Sequence, residues 1–287
     1  MAVSSILADT SICFIGSGVM AEAMIAGIVG QQLVKREAVT ASDPRRDRLQ
    51  ELAATHGINT APSNVAAAKG SEIVVLSVKP QVVAAVLDEL HGQLQPQQLV
   101  LSIVTGASIS TMRQGLRHEA IVRVMPNTPA QIGQGTMVWT ATPTVTPVQR
   151  EQSQAILGCL GKDIYVDDED FLDMATAVSG SGPAYVFLVM EALIDAAVHL
   201  GFSRHVAQEM VIQTMLGSVL LAKQTGKHPA ELRNMVTSPG GTSAEAIYQL
   251  EKGAMRTVFS RAIYAAYEKA RLLGEISKEA YHQRTTH

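Results

Sequence analysis

Over the first part of the chain, short apolar runs alternate with stretches of helical spacing. SICFIG is followed by a helix from about Val19, AVTASD by a helix through Arg48 and Leu52, and EIVVLSV by a helix after Pro80; QLVLSIVTG and AIVRVMPNTP come next. The runs are near-continuously apolar, as strands covered on both faces of a parallel sheet are. They predict a doubly wound, Rossmann-like α/β domain. After a last short strand, DIYVD, the β signal fades, and long helical stretches divided by Gly, Pro and Ser take over. In the clearest of them, AMRTVFSRAIYAAYEKA, the residues Met255, Val258, Phe259, Ala262, Ile263 and Ala266 share one helical face. The acidic VDDEDFLD separates the two regimes. The expected domains are therefore residues 1–168, the α/β part, and residues 169–287, an all-α part.

With 287 residues, 47% of them hydrophobic, the chain can bury a sizeable core in one domain or in two. A formal net charge of −3 and the lack of any Arg- or Lys-rich run leave no footprint for a phosphate backbone, so nucleic acid is not an expected partner. Cys13 and Cys159 lie in apolar contexts without CxxC spacing and read as buried thiols. The eight histidines are scattered, so no metal is expected. MAVSSILADTS has no positively charged leader, and the apolar run AYVFLVMEALIDAAV is interrupted by Glu191 and Asp195. The expectation is a soluble, cytoplasmic protein without a membrane partner.

Two glycine-bearing stretches carry candidate chemistry. In CFIGSGVMAEA, Gly16, Gly18 and Ala21 satisfy the GxGxxA form of the dinucleotide fingerprint, between a strand and a helix. Gly16 allows the tight turn, Gly18 lets a pyrophosphate approach the backbone, and Ala21 lets helix and strand pack closely. Asp43, ending the second strand, would favour a free ribose hydroxyl, whereas Ser42, Arg45 and Arg46 would receive a 2′-phosphate. The two guanidiniums favour NADP(H), with NAD(H) left open. The second stretch, TSPGGTSAEA at 237–246, reads as a helix start that Thr242 or Ser243 caps. Its bare N–H groups beside Gly240 and Gly241 suit an anion.

Four further stretches, SVKP at 77–80, RVMPNTP at 123–129, VSGSGPAYVF at 178–187 and TSPGGTSAEA, join the N-terminal fingerprint in order and spacing. With them the chain resembles the pyrroline-5-carboxylate reductases over nearly its whole length. The resemblance implies reduction of the C=N bond of 1-pyrroline-5-carboxylate to L-proline with NAD(P)H, a Rossmann domain, and a helical C-terminal domain that makes an obligate homodimer or a larger oligomer. It implies that Ser17, Gly18, Val19 and Met20 hold the pyrophosphate and that Asn64 lies near the adenosine. It places Ser77, Val78, Lys79 and Pro80 along the cofactor after the fourth strand, and Val104, Thr105 and Gly106 after the fifth. Substrate contacts would come from Ser238, Gly240, Gly241, Thr242 and Ser243, the last two nearest the chemistry. Many members carry Asn where this chain has Val19, and Thr where it has Ser243.

Hydride transfer to a ketone needs a general acid, and related hydroxyacid dehydrogenases supply a lysine from the first helix of their C-terminal domain. AYVFLVMEALIDAAVHL contains no lysine. A cyclic imine can enter already protonated, so positioning carries the catalysis. Glu191, Asp195 and His199 fall at i, i+4 and i+8 and could form a relay, but a polar stripe is the better reading. Lys79 reads as a cofactor-side or an exposed strand-end residue, and Arg123 with Asn127 as the ends of a rigid turn. The alternatives to the reductase are another cyclic imine as substrate, or a non-catalytic cofactor-sensing relative.

Overall fold

The computed structural model describes residues 6–285, and the chain divides into two compact units. The first comprises residues up to Ser181 together with those from Ala266 on; the second is Gly182–Ala265. The first unit is built on an eight-stranded sheet of order β3-β2-β1-β4-β5-β6-β7-β8. Its strands are β1 (Ile12–Ile15), β2 (Val39–Ser42), β3 (Asn59–Thr60), β4 (Ile73–Leu76), β5 (Leu99–Ser102), β6 (Ile121–Met125), β7 (Gly135–Ala141) and β8 (Gly161–Tyr165). All neighbours run parallel except β6 and β7. The sequence pattern predicts neither the antiparallel β7 nor the two-residue β3. GTMVWTA sits between turn-rich segments, and its strand character comes from pairing with β6 and β8.

The apolar runs are continuous because the central strands bury both faces, with every residue of β1, β4 and β5 buried, whereas the edge strands β3 and β8 are largely exposed. Ile12, Phe14, Ile73, Val75, Leu99, Leu101, Val122 and Val124 point into one core, and Cys13, Ile15, Val74, Leu76, Val100 and Ile121 into the other. Helices α1 (Val19–Gly30), α2 (Arg46–His56) and α6 (Pro147–Gly158) cover the first face; α3 (Asn64–Ala68), α4 (Val83–Glu89) and α5 (Ile109–Leu116) cover the second. Cys13 and Cys159 are buried free thiols, and burial pushes both up to about 12, so neither is a nucleophile near neutral pH. Short α7 (Asp170–Ala175) runs into a π-helical turn at Thr176–Gly180.

The second unit contains α8 (Gly182–His199), α9 (Arg204–Thr225), α10 (Pro229–Met235), α11 (Thr242–Lys252) and the beginning of α12 (Met255–Thr285). Ser203 caps α9 by accepting from the Val206 N–H, and Gly226 ends it in the left-handed region that glycine tolerates best. Among the described residues of this unit, only Ala207 is buried. The helical stretch Asp170–His199 is long and apolar enough to cross a membrane by length and composition alone. Asp195 on it pairs with Arg204 at 3.0 Å.

Candidate functional site

At the C-terminal edge of β1, β2 and β4 lies a cleft of about 960 Å³, where strand order reverses in the manner that creates ligand crevices in open α/β sheets. Gly16, Ser17, Gly18, Val19, Ser42, Arg45, Asn64, Ser77, Val78 and Lys79, all expected from the sequence, line it together. Gly16 has φ +91°, and a Cβ there would lie 2.7 Å from Val78 Cγ1, so both the turn and the closeness of the β4 loop require glycine. Gly18 faces open space, with nothing within 4 Å of where its Cβ would be. It is the N-cap of α1 and no side chain caps the helix. A pyrophosphate therefore fits here, with the first N–H groups of α1 and the positive end of its dipole open to the anion.

Other predicted residues stand elsewhere. Met20 is half-buried and packs on the core, Pro80 opens a 3₁₀ turn, and Arg46 begins α2 outside the cleft lining. Val104, Thr105 and Gly106 follow β5, the strand beside β4, but do not line this cleft. Gly106 lines a separate polar cavity of about 250 Å³ with Arg123, Glu169 and Asp173. Arg123 is buried there, paired with Glu169 and, at 3.4 Å, with Asp173. Asn127 donates to the Ser179 carbonyl at 3.0 Å and accepts from the Thr136 N–H at 2.8 Å. These two residues tie β6 and β7 to the segment after β8; the MP between them is held by tertiary partners more than by its own turn chemistry.

At the end of β2, the Ser42 hydroxyl donates to Asn64 Oδ1 at 2.9 Å, and the Asn64 amide donates to Glu89 at 2.6 Å. Asp43 accepts the Ser17 N–H on Oδ2 at 2.9 Å, and on Oδ1 the Arg45 N–H at 3.0 Å and Nε at 3.3 Å. Arg48, which the sequence marks only as part of a helix, lines the cleft and donates from Nε to the Ser17 carbonyl at 2.9 Å. Its other nitrogens pair with Glu22 and Glu51. The Arg48 guanidinium beside Glu22 holds its carboxyl below the ordinary carboxylate range. Arg48 and Glu51 are an i,i+3 pair that α2 itself sets, but only the fold brings Glu22 of α1 to them.

The stretch 237–246 turns through Gly240 at φ +69°, and the Gly241 N–H donates to the Ser238 carbonyl at 3.1 Å. Helix α11 starts at Thr242 with Gly241 as N-cap and no side-chain cap. The expected cap by Thr242 or Ser243 is thus replaced by glycine, one residue earlier, which leaves both hydroxyls free of that duty. A Cβ on Gly241 would lie 2.5 Å from Ser238 Oγ, so the serine needs a glycine beside it. Thr242 is exposed and Ser243 half-buried.

Residues 169–273 match the family described as pyrroline-5-carboxylate reductase dimerisation, and residues 11–106 the family described as NADP oxidoreductase, coenzyme F420-dependent. The pyrroline-5-carboxylate reductase of a Synechocystis species is 40% identical over 261 residues, which span 91% of this chain and 97% of that one. The solved pyrroline-5-carboxylate reductase of Coxiella burnetii is 35% identical with a TM-score of 0.86, covering 92% of this chain and 98% of its own. That of Plasmodium falciparum, solved with NADP bound, is 31% identical with a TM-score of 0.84, covering 93% and 99%. At this identity over nearly the full length of both chains, the protein belongs to the pyrroline-5-carboxylate reductase family.

Proposed function

We propose that this chain is an NADPH-dependent 1-pyrroline-5-carboxylate reductase that makes L-proline, acting in the cytoplasm as a homodimer through residues 169–287. The observation that carries it is the uncapped start of α1, opened by Gly18 in a cleft at the reversal of strand order. When bound, the nicotinamide supplies a hydride. Val19 and Met20 offer backbone N–H groups to the pyrophosphate, a task for which the missing Asn side chain at Val19 is unnecessary. Arg45, more than half exposed, meets the 2′-phosphate. Ser77, Val78 and Lys79 follow the cofactor past β4, and Val104, Thr105 and Gly106 past β5.

The start of α11, with Ser238, Gly240, Gly241, Thr242 and Ser243, receives the substrate carboxylate through neutral donors and the helix dipole. Ser243 orients the ring nitrogen or the carboxylate with its hydroxyl. No proton donor is required, because the imine arrives protonated and leaves as a neutral amine once its carbon has accepted hydride. The absence of lysine from α8 fits this chemistry. The test is oxidation of NADPH by five- and six-membered cyclic imine carboxylates. Turnover with the five-membered ring is expected; turnover with the six-membered ring alone, or none with either, overturns the assignment.

A further inference from the structure

Ser17 stands between the two glycines of the phosphate loop, is fully buried, and has every polar group of its backbone engaged by charge. Its N–H donates to Asp43 Oδ2 and its carbonyl accepts from Arg48 Nε, both at 2.9 Å, from opposite sides of one residue. Asp43 is barely exposed, its side chain 9% accessible, and its second oxygen already takes two donors from Arg45. Arg48 is equally committed: its three nitrogens serve Ser17, Glu51 and Glu22. Asp43 occupies the place from which a carboxylate reads a ribose hydroxyl, and Arg48 lines the same cleft, where a guanidinium could be taken for a phosphate ligand. Both groups have their polar atoms engaged by partners within the protein.

We infer that Asp43 and Arg48 form a two-sided clamp on Ser17 that sets the shape of the phosphate loop, and that neither discriminates between phosphorylated and unphosphorylated dinucleotides. Ser17 is then an internal strut and not a pyrophosphate ligand, since its N–H is already taken. The clamp removes Asp43 from ribose recognition, satisfying one oxygen with the Ser17 N–H and pairing the other with Arg45, so the end of β2 tolerates a 2′-phosphate despite an aspartate. What reads the 2′-phosphate is left to Arg45, whose guanidinium is tied, among the described residues, only through Nε. This inference rests on the dinucleotide-dependent reading above.

The test is equilibrium binding of NADPH and of NADH to the whole protein, followed by quenching of protein fluorescence, in Asp43→Asn, Asp43→Ala and Arg48→Lys. A clamp predicts that each variant weakens both dinucleotides in the same ratio, by about tenfold for a lost charge-assisted hydrogen bond. Asp43→Asn keeps an oxygen for the Ser17 N–H and should lose less than Asp43→Ala. Lysine cannot serve three acceptors as a planar fork does, so Arg48→Lys should behave like the aspartate variants. If Asp43→Asn weakens NADH alone or tightens NADPH, Asp43 reads the ribose and the clamp is wrong. If Arg48→Lys weakens NADPH alone, Arg48 is a phosphate ligand and the clamp is equally wrong. A fall in Tm with both Kd values unmoved reduces the pair to fold support and also overturns the inference. A parent protein that binds neither dinucleotide overturns the reductase reading itself, and the clamp with it.

Discussion

The two units of the chain handle apolar surface in opposite ways. In the first, helices seal both faces of the central strands, and Phe14, Trp139, Met24 and Leu87 are buried to within a few per cent. In the second, Ala207 alone is buried among the described residues, while Leu188, Leu200 and Val219 are 66%, 82% and 65% exposed. Helices apolar on several sides are stable only when something covers them. The first unit therefore has the means to hold its shape within one chain, and the second has them only against more protein, which a second copy provides in the proposed dimer. On the proposed assignment this division also separates the two halves of the chemistry: the proposed anion site for the cofactor would sit on a self-sufficient core, and that for the substrate on helices that need a partner.

The largest effect expected is at the uncovered face. Leu216→Glu on α9, at a residue 51% exposed, should place a charge on the face that the proposed partner would cover, at a cost of about 3 kcal/mol or more, and make the protein monomeric or insoluble by sedimentation. Ile132→Glu in the first unit, at a side chain 76% exposed, should leave assembly and Tm unchanged. Equal behaviour of the two variants would erase the distinction between the units.

Next come paired substitutions that separate the halves functionally. Ser243→Ala should raise KM for the imine about tenfold, near 1.4 kcal/mol, with KM for NADPH unmoved. Gly241→Ala should act similarly, since its methyl displaces the Ser238 hydroxyl. Arg45→Ala should do the reverse, raising KM for NADPH by a comparable factor with little change for NADH or the imine. Arg46→Ala should do less, because Arg46 lies outside the cleft lining. A variant from either half that moves both KM values together would show that the cofactor and substrate sites are not separable in this way.

A smaller effect is expected from Glu191→Gln, Asp195→Asn and His199→Gln. Each should leave kcat within about tenfold of the parent, short of the hundredfold or more lost with a true general acid. Asp195 is already occupied by an exposed ion pair with Arg204, worth at most about 1 kcal/mol. A thousandfold loss in a variant that still assembles would place a proton donor on α8. The smallest response is chemical: with Cys13 and Cys159 buried and pushed up to about 12, thiol reagents at neutral pH should label the folded protein negligibly, and labelling before unfolding would contradict that burial.

The sequence by itself determined whatever depends on local period or on a single residue's geometry. Continuous apolar runs such as EIVVLSV specify strands sealed on both faces, because neither parity of side chain can meet water. Gly16 and Gly18 specify the phosphate loop, because one needs a positive φ and the other an open approach. The long helical stretches after DIYVD were legible for the same reason. Only the tertiary structure decided what depends on partners distant in the chain. Asp43 looks like a ribose reader until Ser17, 26 positions away, is seen to hold it. Arg48 looks like one more residue of an exposed helix until Glu22 arrives from α1. Arg123 looks like the end of a turn until Glu169 and Asp173 close on it. GTMVWTA becomes an antiparallel strand only once β6 and β8 flank it. In each case the deciding energy lies in a charge or a hydrogen bond between residues far apart in sequence, and no local pattern records such a pairing.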